Sequence, residues 1–236
     1  MYHSIGIPLK KERMRSLYVT PGMFRFQMWY LQKVGFKVVP LSDMLTVVEG
    51  GDTGERLVAL TFDDGFQNFY EHAYPVLRIY KYHSTVFPVS DLVGKENRWD
   101  HDNLIAVKRL MDWDIILRMK DQGVSFGAHS RTHPFLTRLT SRRMEDEIAG
   151  SKAALEERLD TSVDFFCYPY GDYDEKVVTA VRKAGYRAAV TTNRGLIHEG
   201  DDPFAMNRSF IRLNTHPLLF MIKLHTTYED KKGSRK

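Results

Sequence analysis

The sequence predicts one parallel α/β domain, and three observations carry that expectation. Apolar runs of strand length alternate with amphipathic stretches of helix length from end to end. Neither an internal repeat nor a linker interrupts the alternation. The polar residues that are hardest to explain as solvated surface all follow the carboxyl ends of strand candidates, the end at which α/β barrels keep their sites. At 236 residues the chain is long for an ordinary domain but within the range of such barrels.

The elements follow in order. Residues 4–16 are polar and basic, hold Gly6 and Pro8, and read as a loop. Thr20-Pro21 is a helix start, Thr20 as cap and Pro21 at the first helical position, with the helix running to Gly35. A short strand at 36–40 and a helix near 42–49 precede three glycines, Gly50, Gly51 and Gly54. Leu57-Val58-Ala59-Leu60 reads as a buried strand, and the next candidate is 85–89. Residues 91–110 form a long, partly charged excursion across a barrel mouth, in which Trp99, Asp100 and His101 either line a groove or pin the loop. Asp112 caps a helix to Gln122, and 124–128 is a strand. Thr140 or Ser141 opens an amphipathic helix with Met144, Ile148, Leu155 and Leu159 on one stripe. Strand 165–168, helix 174–184, strand 187–191, a less regular 201–215 and a helix at 217–224 complete the series. Met14, Phe24, Met28 and Trp29 are expected in the core.

Composition narrows the function classes. With 43% apolar and 12% aromatic residues the chain buries a substantial core. Its single cysteine excludes an intramolecular disulfide and a cysteine-rich zinc site. The net charge is +4, but residues 229–236 hold +2 of it, so the near-neutral body argues against a nucleic-acid partner. That tail is expected to be solvated and disordered, leaving a single domain over 1–228. No run of about 18 apolar residues predicts a membrane span. No signal peptide is visible, so a cytoplasmic location is expected, or an extracytoplasmic one if the N-terminus is truncated.

The organising stretch is Thr61-Phe62-Asp63-Asp64-Gly65, where two carboxylates stand at the end of a buried strand. Neighbouring strand side chains point to opposite faces, so the two should diverge. That suits separate tasks such as metal ligand and general base; a helix cap beside a solvated carboxylate is the competing reading. His129 and His133 follow another strand end, and Pro134 disfavours a helix there, which suggests a tight turn. Two imidazoles, a carboxylate and an open position make a catalytic zinc site or a ferrous one. Zinc lowers the pKa of bound water to about 7, and a spare carboxylate could accept its proton.

Thr-Phe-Asp-Asp-Gly at 61–65, His-Ser-x-x-His at 129–133 and Tyr-Pro-Tyr-Gly at 168–171 together resemble the polysaccharide deacetylases, the NodB-homology domains of carbohydrate esterase family 4. Tyr2-His3, Tyr18-Val19-Thr20 with Phe24 and Gln27, Glu147 with Ser151-Lys152, and Asp202-Pro203-Phe204 with Arg208 resemble the branch that includes the poly-N-acetylglucosamine deacetylases. The resemblance implies a distorted (β/α) barrel and hydrolysis of an N-acetyl group from an amino sugar in a poly- or oligosaccharide. It implies that Asp63 is the base, that Asp64, His129 and His133 hold one divalent metal ion, most simply zinc, and that the Tyr170 N–H helps stabilise the oxyanion. Two departures stand out. Cys167 occupies the place of an Arg that orients the catalytic Asp, and Arg208 is the candidate substitute, unless it makes only an ordinary surface ion pair. No Leu-x-His motif follows residue 198, and in the poly-N-acetylglucosamine branch the corresponding His comes from the N-terminal Tyr-His, so the resemblance gives the general acid to His3 in preference to His225. The rival readings are an acetyl-ester hydrolase on the same fold, a catalytically weakened carbohydrate-binding homologue and, more distantly, a ferrous oxygenase. Oligomeric state is not legible.

Overall fold

Parallel strands need long crossovers, and this chain supplies a helix or an extended excursion for nearly every one. The computed structural model describes residues 1–236 apart from 11, 13, 52, 100–106, 235 and 236. Its elements are β1 (Ser4–Ile5), β2 (Tyr18–Val19), α1 (Pro21–Lys33), β3 (Lys37–Val39), α2 (Met44–Val48), β4 (Leu57–Ala59), β5 (Thr61–Asp64), α3 (Tyr74–Tyr80), β6 (Thr85–Pro88), α4 (Trp113–Lys120), β7 (Ser125–Phe126), α5 (Ser141–Leu159), β8 (Phe165–Cys167), α6 (Glu175–Lys183), β9 (Ala188–Val190), α7 (Pro217–His225) and α8 (Tyr228–Gly233). Helix starts are set by short polar side chains. Thr20, Asp112, Thr140 and Asp174 each accept an N–H of the first turn, relieving donors that the helix cannot satisfy itself.

The strands close into a ring. β5, β6 and β7 form one parallel sheet, with Asp63 beside Phe87 and Asp64 beside Pro88. Ala128 bridges to Phe166 on β8, β8 pairs with β9, and Val190 bridges to Met206. The Met1 carbonyl then accepts the Ile211 N–H at 3.1 Å, and the Met1 amine donates to Ser209 O at 2.9 Å. Tyr2 completes the circuit, its N–H on Thr61 O at 2.8 Å and its carbonyl receiving the Asp63 N–H at 3.0 Å. Much of the closing wall is irregular chain, and the result is a distorted (β/α) barrel. β5 is buried on both faces, as a strand covered by helices outside and side chains inside must be.

Several expectations are corrected. Residues 4–16 are not all loop, since Ser4–Ile5 pairs with Tyr18–Val19. Phe24 and Met28 are fully buried, whereas Met14 and Trp29 are 38% and 46% exposed, because Trp29 falls on the outer face of α1. The expected disordered tail begins instead as α8. Glu229 is completely buried there, its carboxylate paired with Arg194 at 2.7 Å and with Lys223. Charge composition marked this stretch as solvated, but a buried acid with two cationic partners outweighs it. Arg235, Lys236, Asp100 and His101 lie outside the described residues. Among the described residues no helix is long and apolar enough to cross a membrane.

Candidate active site

The site is built from backbone that ordinary residues avoid. Six non-glycine residues of the described chain have positive φ, and four of them, Asp64, Ser130, His133 and Tyr170, belong to the three motifs at the barrel mouth. Left-handed backbone at such residues costs on the order of 1–3 kcal/mol each and persists only where surrounding contacts impose it. Gly65 continues the turn at φ +72°, and a Cβ there would stand 3.0 Å from the Pro88 Cα, so the close approach of β5 to β6 requires glycine.

Asp63 and Asp64 take different partners, as alternation along a strand anticipates, and the left-handed backbone of Asp64 sets its own direction. Asp63 Oδ1 and Oδ2 accept from Arg208 Nη1 and Nη2 at 2.7 and 2.8 Å. The remaining Arg208 donors reach Thr191 O at 2.8 Å, Thr61 Oγ1 at 3.2 Å and Cys167 Sγ at 3.3 Å. Arg208 is 6% exposed, which removes the surface-pair reading. Its guanidinium lies against the cysteine that occupies the departed Arg position. Burial would raise the Asp63 carboxyl, but Arg208, with help from His3, brings it down to about 2.

Asp64 turns to the other side. Its Oδ1 lies 3.4 Å from His129 Nε2 and 3.5 Å from His133 Nε2. Burial would raise this carboxyl too, and the two imidazoles hold it well below the usual range instead. His129 Nδ1 donates to the Cys167 carbonyl at 2.7 Å, which assigns its tautomer and aims Nε2 inward. Burial acts downward on both imidazoles. Cys167 and Asp64 reverse it for His129, whereas His133 falls to about 4 and is neutral. One ligand atom from each of the three residues lies within 4.8 Å of the others, and all three residues are buried. A carboxylate and two imidazoles converging in this way fit one divalent cation of the zinc type.

His3, Tyr170 and Trp99 border the cluster. His3 Nε2 is 3.8 Å from Asp63 Oδ2, and its ring stacks on Phe210 at 5.5 Å. Burial lowers the His3 pKa, with partial compensation from Asp63. Tyr170 and Trp99 flank the His133 ring, each with its centroid at 4.4 Å. His225, the alternative acid, bonds the Tyr30 hydroxyl at 3.1 Å and packs on Phe36, among residues that have no part in the cluster. Two residues named in the sequence without a role contribute here. Glu147 is fully buried and binds the His129–His133 loop, and Trp99 packs on a candidate ligand. Glu147 left a signal, an acid on the same helical stripe as Met144, Ile148 and Leu155, where a solvated charge has no place.

A family model described as polysaccharide deacetylase matches residues 50–189. Over 209 residues the chain is 28% identical to YxkH of Bacillus subtilis (strain 168), named for the polysaccharide deacetylases, across 88% of this chain and 68% of that protein. It is 23% identical over 207 residues to a poly-β-1,6-N-acetyl-D-glucosamine N-deacetylase of Staphylococcus aureus (strain MSSA476), across 85% of this chain and 70% of the relative. The solved structure of the Streptococcus pyogenes deacetylase PplD, in complex with acetate, superposes with a TM-score of 0.83 at 24% identity, over 95% of this chain and 96% of that one, and so shares the fold.

Proposed function

The chain belongs to the polysaccharide deacetylase family, hydrolases that deacetylate polysaccharides, and on that basis we propose that it removes N-acetyl groups from an amino-sugar polymer with the help of one divalent metal ion. The observation that carries this reading is the division of labour between adjacent carboxylates. Asp64 faces two imidazoles, while Asp63 is gripped by Arg208 and faces His3.

In this reading Asp64, His129 and His133 hold the metal. A cation there would polarise the acetyl carbonyl and acidify the attacking water, which a carboxylate held near 2 requires if it is to act as base. Arg208 keeps Asp63 ionised and fixes both its oxygens, so the carboxylate meets the water in one orientation. His3, beside Asp63 Oδ2, takes on the proton that Asp63 removes from the water and delivers it to the departing amine, without which an amide does not cleave. The Tyr170 N–H, in a turn whose side chain packs on His133, donates to the developing oxyanion. Zinc suits this donor set, and poly-β-1,6-linked N-acetylglucosamine, the substrate in the name of the staphylococcal relative, is the first polymer to try.

The test is acetate release from N-acetylglucosamine oligomers and from O-acetylated glycans, before chelation, after chelation and after zinc is restored. Chelator-sensitive, zinc-restored release from the N-acetyl substrates is expected. Release from O-acetyl esters alone would move the assignment to ester hydrolysis. Binding of glycans without release would make the protein a carbohydrate-binding homologue.

A further inference from the structure

The two candidate ligand imidazoles are held by different physics. A metal-bound histidine ordinarily donates its second nitrogen to a carbonyl or carboxylate, which fixes the ring. His129 does so through the Cys167 carbonyl. His133 does not: among the described residues no neighbouring carbonyl or carboxylate accepts from its buried Nδ1, and the backbone contact its imidazole makes is with its own residue. Its orientation has to come from its backbone and from the rings of Trp99 and Tyr170 that flank it. That backbone is itself left-handed at Ser130 and at His133, at φ 59° and 64°, a conformation the loop would not hold unaided.

One side chain meets this need. Glu147, on α5, is fully buried, and both its oxygens are spent on the loop and its support. Oε2 accepts the N–H groups of Arg131 and Thr132 at 2.9 and 2.8 Å. Oε1 accepts the Thr132 hydroxyl at 2.6 Å and Arg143 Nη2 at 3.0 Å. The two backbone donors are the residues between the left-handed pair, so one carboxylate clamps the turn at its centre. Around it the loop is tied further. The His133 N–H reaches Ser130 Oγ at 2.9 Å, and the Arg131 guanidinium pairs with Asp91 and Asp146 at 2.9 and 2.8 Å.

We propose that Glu147 is a positioning residue for metal binding, acting through the backbone of Arg131 and Thr132 to hold His133 in line with Asp64 and His129. The inference rests on the metal reading of that cluster. The Glu147 oxygens bond Arg131, Thr132 and Arg143 and not the three cluster residues, so its effect is on geometry.

The experiment measures zinc affinity by competition with a chromogenic chelator, and the visible absorption of the cobalt(II)-loaded protein, for wild type, Glu147→Gln and Glu147→Ala. Loss of an outer-shell partner typically weakens metal binding about 10- to 100-fold. The glutamine retains one acceptor oxygen, so about tenfold weakening is expected for it and about a hundredfold for the alanine, with altered cobalt bands in both. Unfolding temperatures of the metal-free proteins are recorded alongside. Wild-type zinc affinity and cobalt bands in the alanine variant, with only its unfolding temperature lowered, would overturn the proposal. If that variant does not fold, the glutamine variant decides on the same criterion. A wild-type protein that binds neither metal, or an Asp64→Ala variant that binds as tightly as wild type, would strike the metal reading rather than the role of Glu147.

Discussion

Arg208 holds both oxygens of Asp63, at 2.7 and 2.8 Å, across 145 residues of sequence. Both side chains are buried, so neither charge has water to fall back on. Removing one partner of such a pair costs about 3–5 kcal/mol because the survivor is stranded. Arg208→Met should destabilise the protein by that order, as measured by denaturant unfolding. Adding Asp63→Asn should restore about 2 kcal/mol of the loss, and simple additivity of the two variants would show that the pair is not coupled. Arg208→Lys keeps the charge but not the fork, and should leave a folded protein with impaired turnover.

The same pair sets a pH dependence. The Asp63 carboxyl lies at about 2 in the fold against an ordinary 3.8, so the folded form binds its proton less readily than the unfolded chain. Its contribution is therefore present above about pH 4 and is lost as the pH falls towards 2, an effect of about 2 kcal/mol. Unfolding of the chelated protein at pH 5 and at pH 2.5 should show a steeper acid loss in wild type than in Asp63→Asn. Parallel losses would place the acid sensitivity on other carboxylates.

Adjacent carboxylates with separate tasks should fail separately. Asp64→Ala should lose stoichiometric zinc and activity together, by elemental analysis and acetate release. Asp63→Asn should retain zinc and lose activity by roughly a hundredfold or more, the scale of general-base loss. Zinc loss in Asp63→Asn would mean that the two roles are shared or exchanged.

His3 lies 3.8 Å from Asp63 at the edge of the site, and its proposed task is specific to the leaving group. His3→Ala should bind zinc normally and lose N-acetyl hydrolysis by about a hundredfold or more. An activated acetyl ester, whose leaving group needs little protonation, should suffer far less. Equal losses on both substrates would reject the acid role.

Local grammar was readable in advance. Thr20, Asp112 and Thr140 cap the helices they announce, and the Asp, His and Tyr-Pro motifs stand at strand ends because in each an apolar run gives way to a nearby Gly or Pro that stops the strand. Trp29 and Glu229 depart from expectation for one reason: whether a residue in a helix or a terminal stretch is covered depends on what packs against it.

The sequence by itself determined the alternation of strands and helices, the three motifs and the separate tasks expected of Asp63 and Asp64, and its resemblance to a family nominated Arg208 and His3. The tertiary structure alone decided that residues 206–211 and Met1 close the ring, that the Arg208 guanidinium reaches Asp63 past Cys167, and that Glu147 clamps the turn carrying His133. The reason is physical. A turn or a cap is settled within a few residues by sterics and one hydrogen bond, whereas a buried ion pair or a ring closure exists only once separate elements have packed and excluded the water that would otherwise serve each partner.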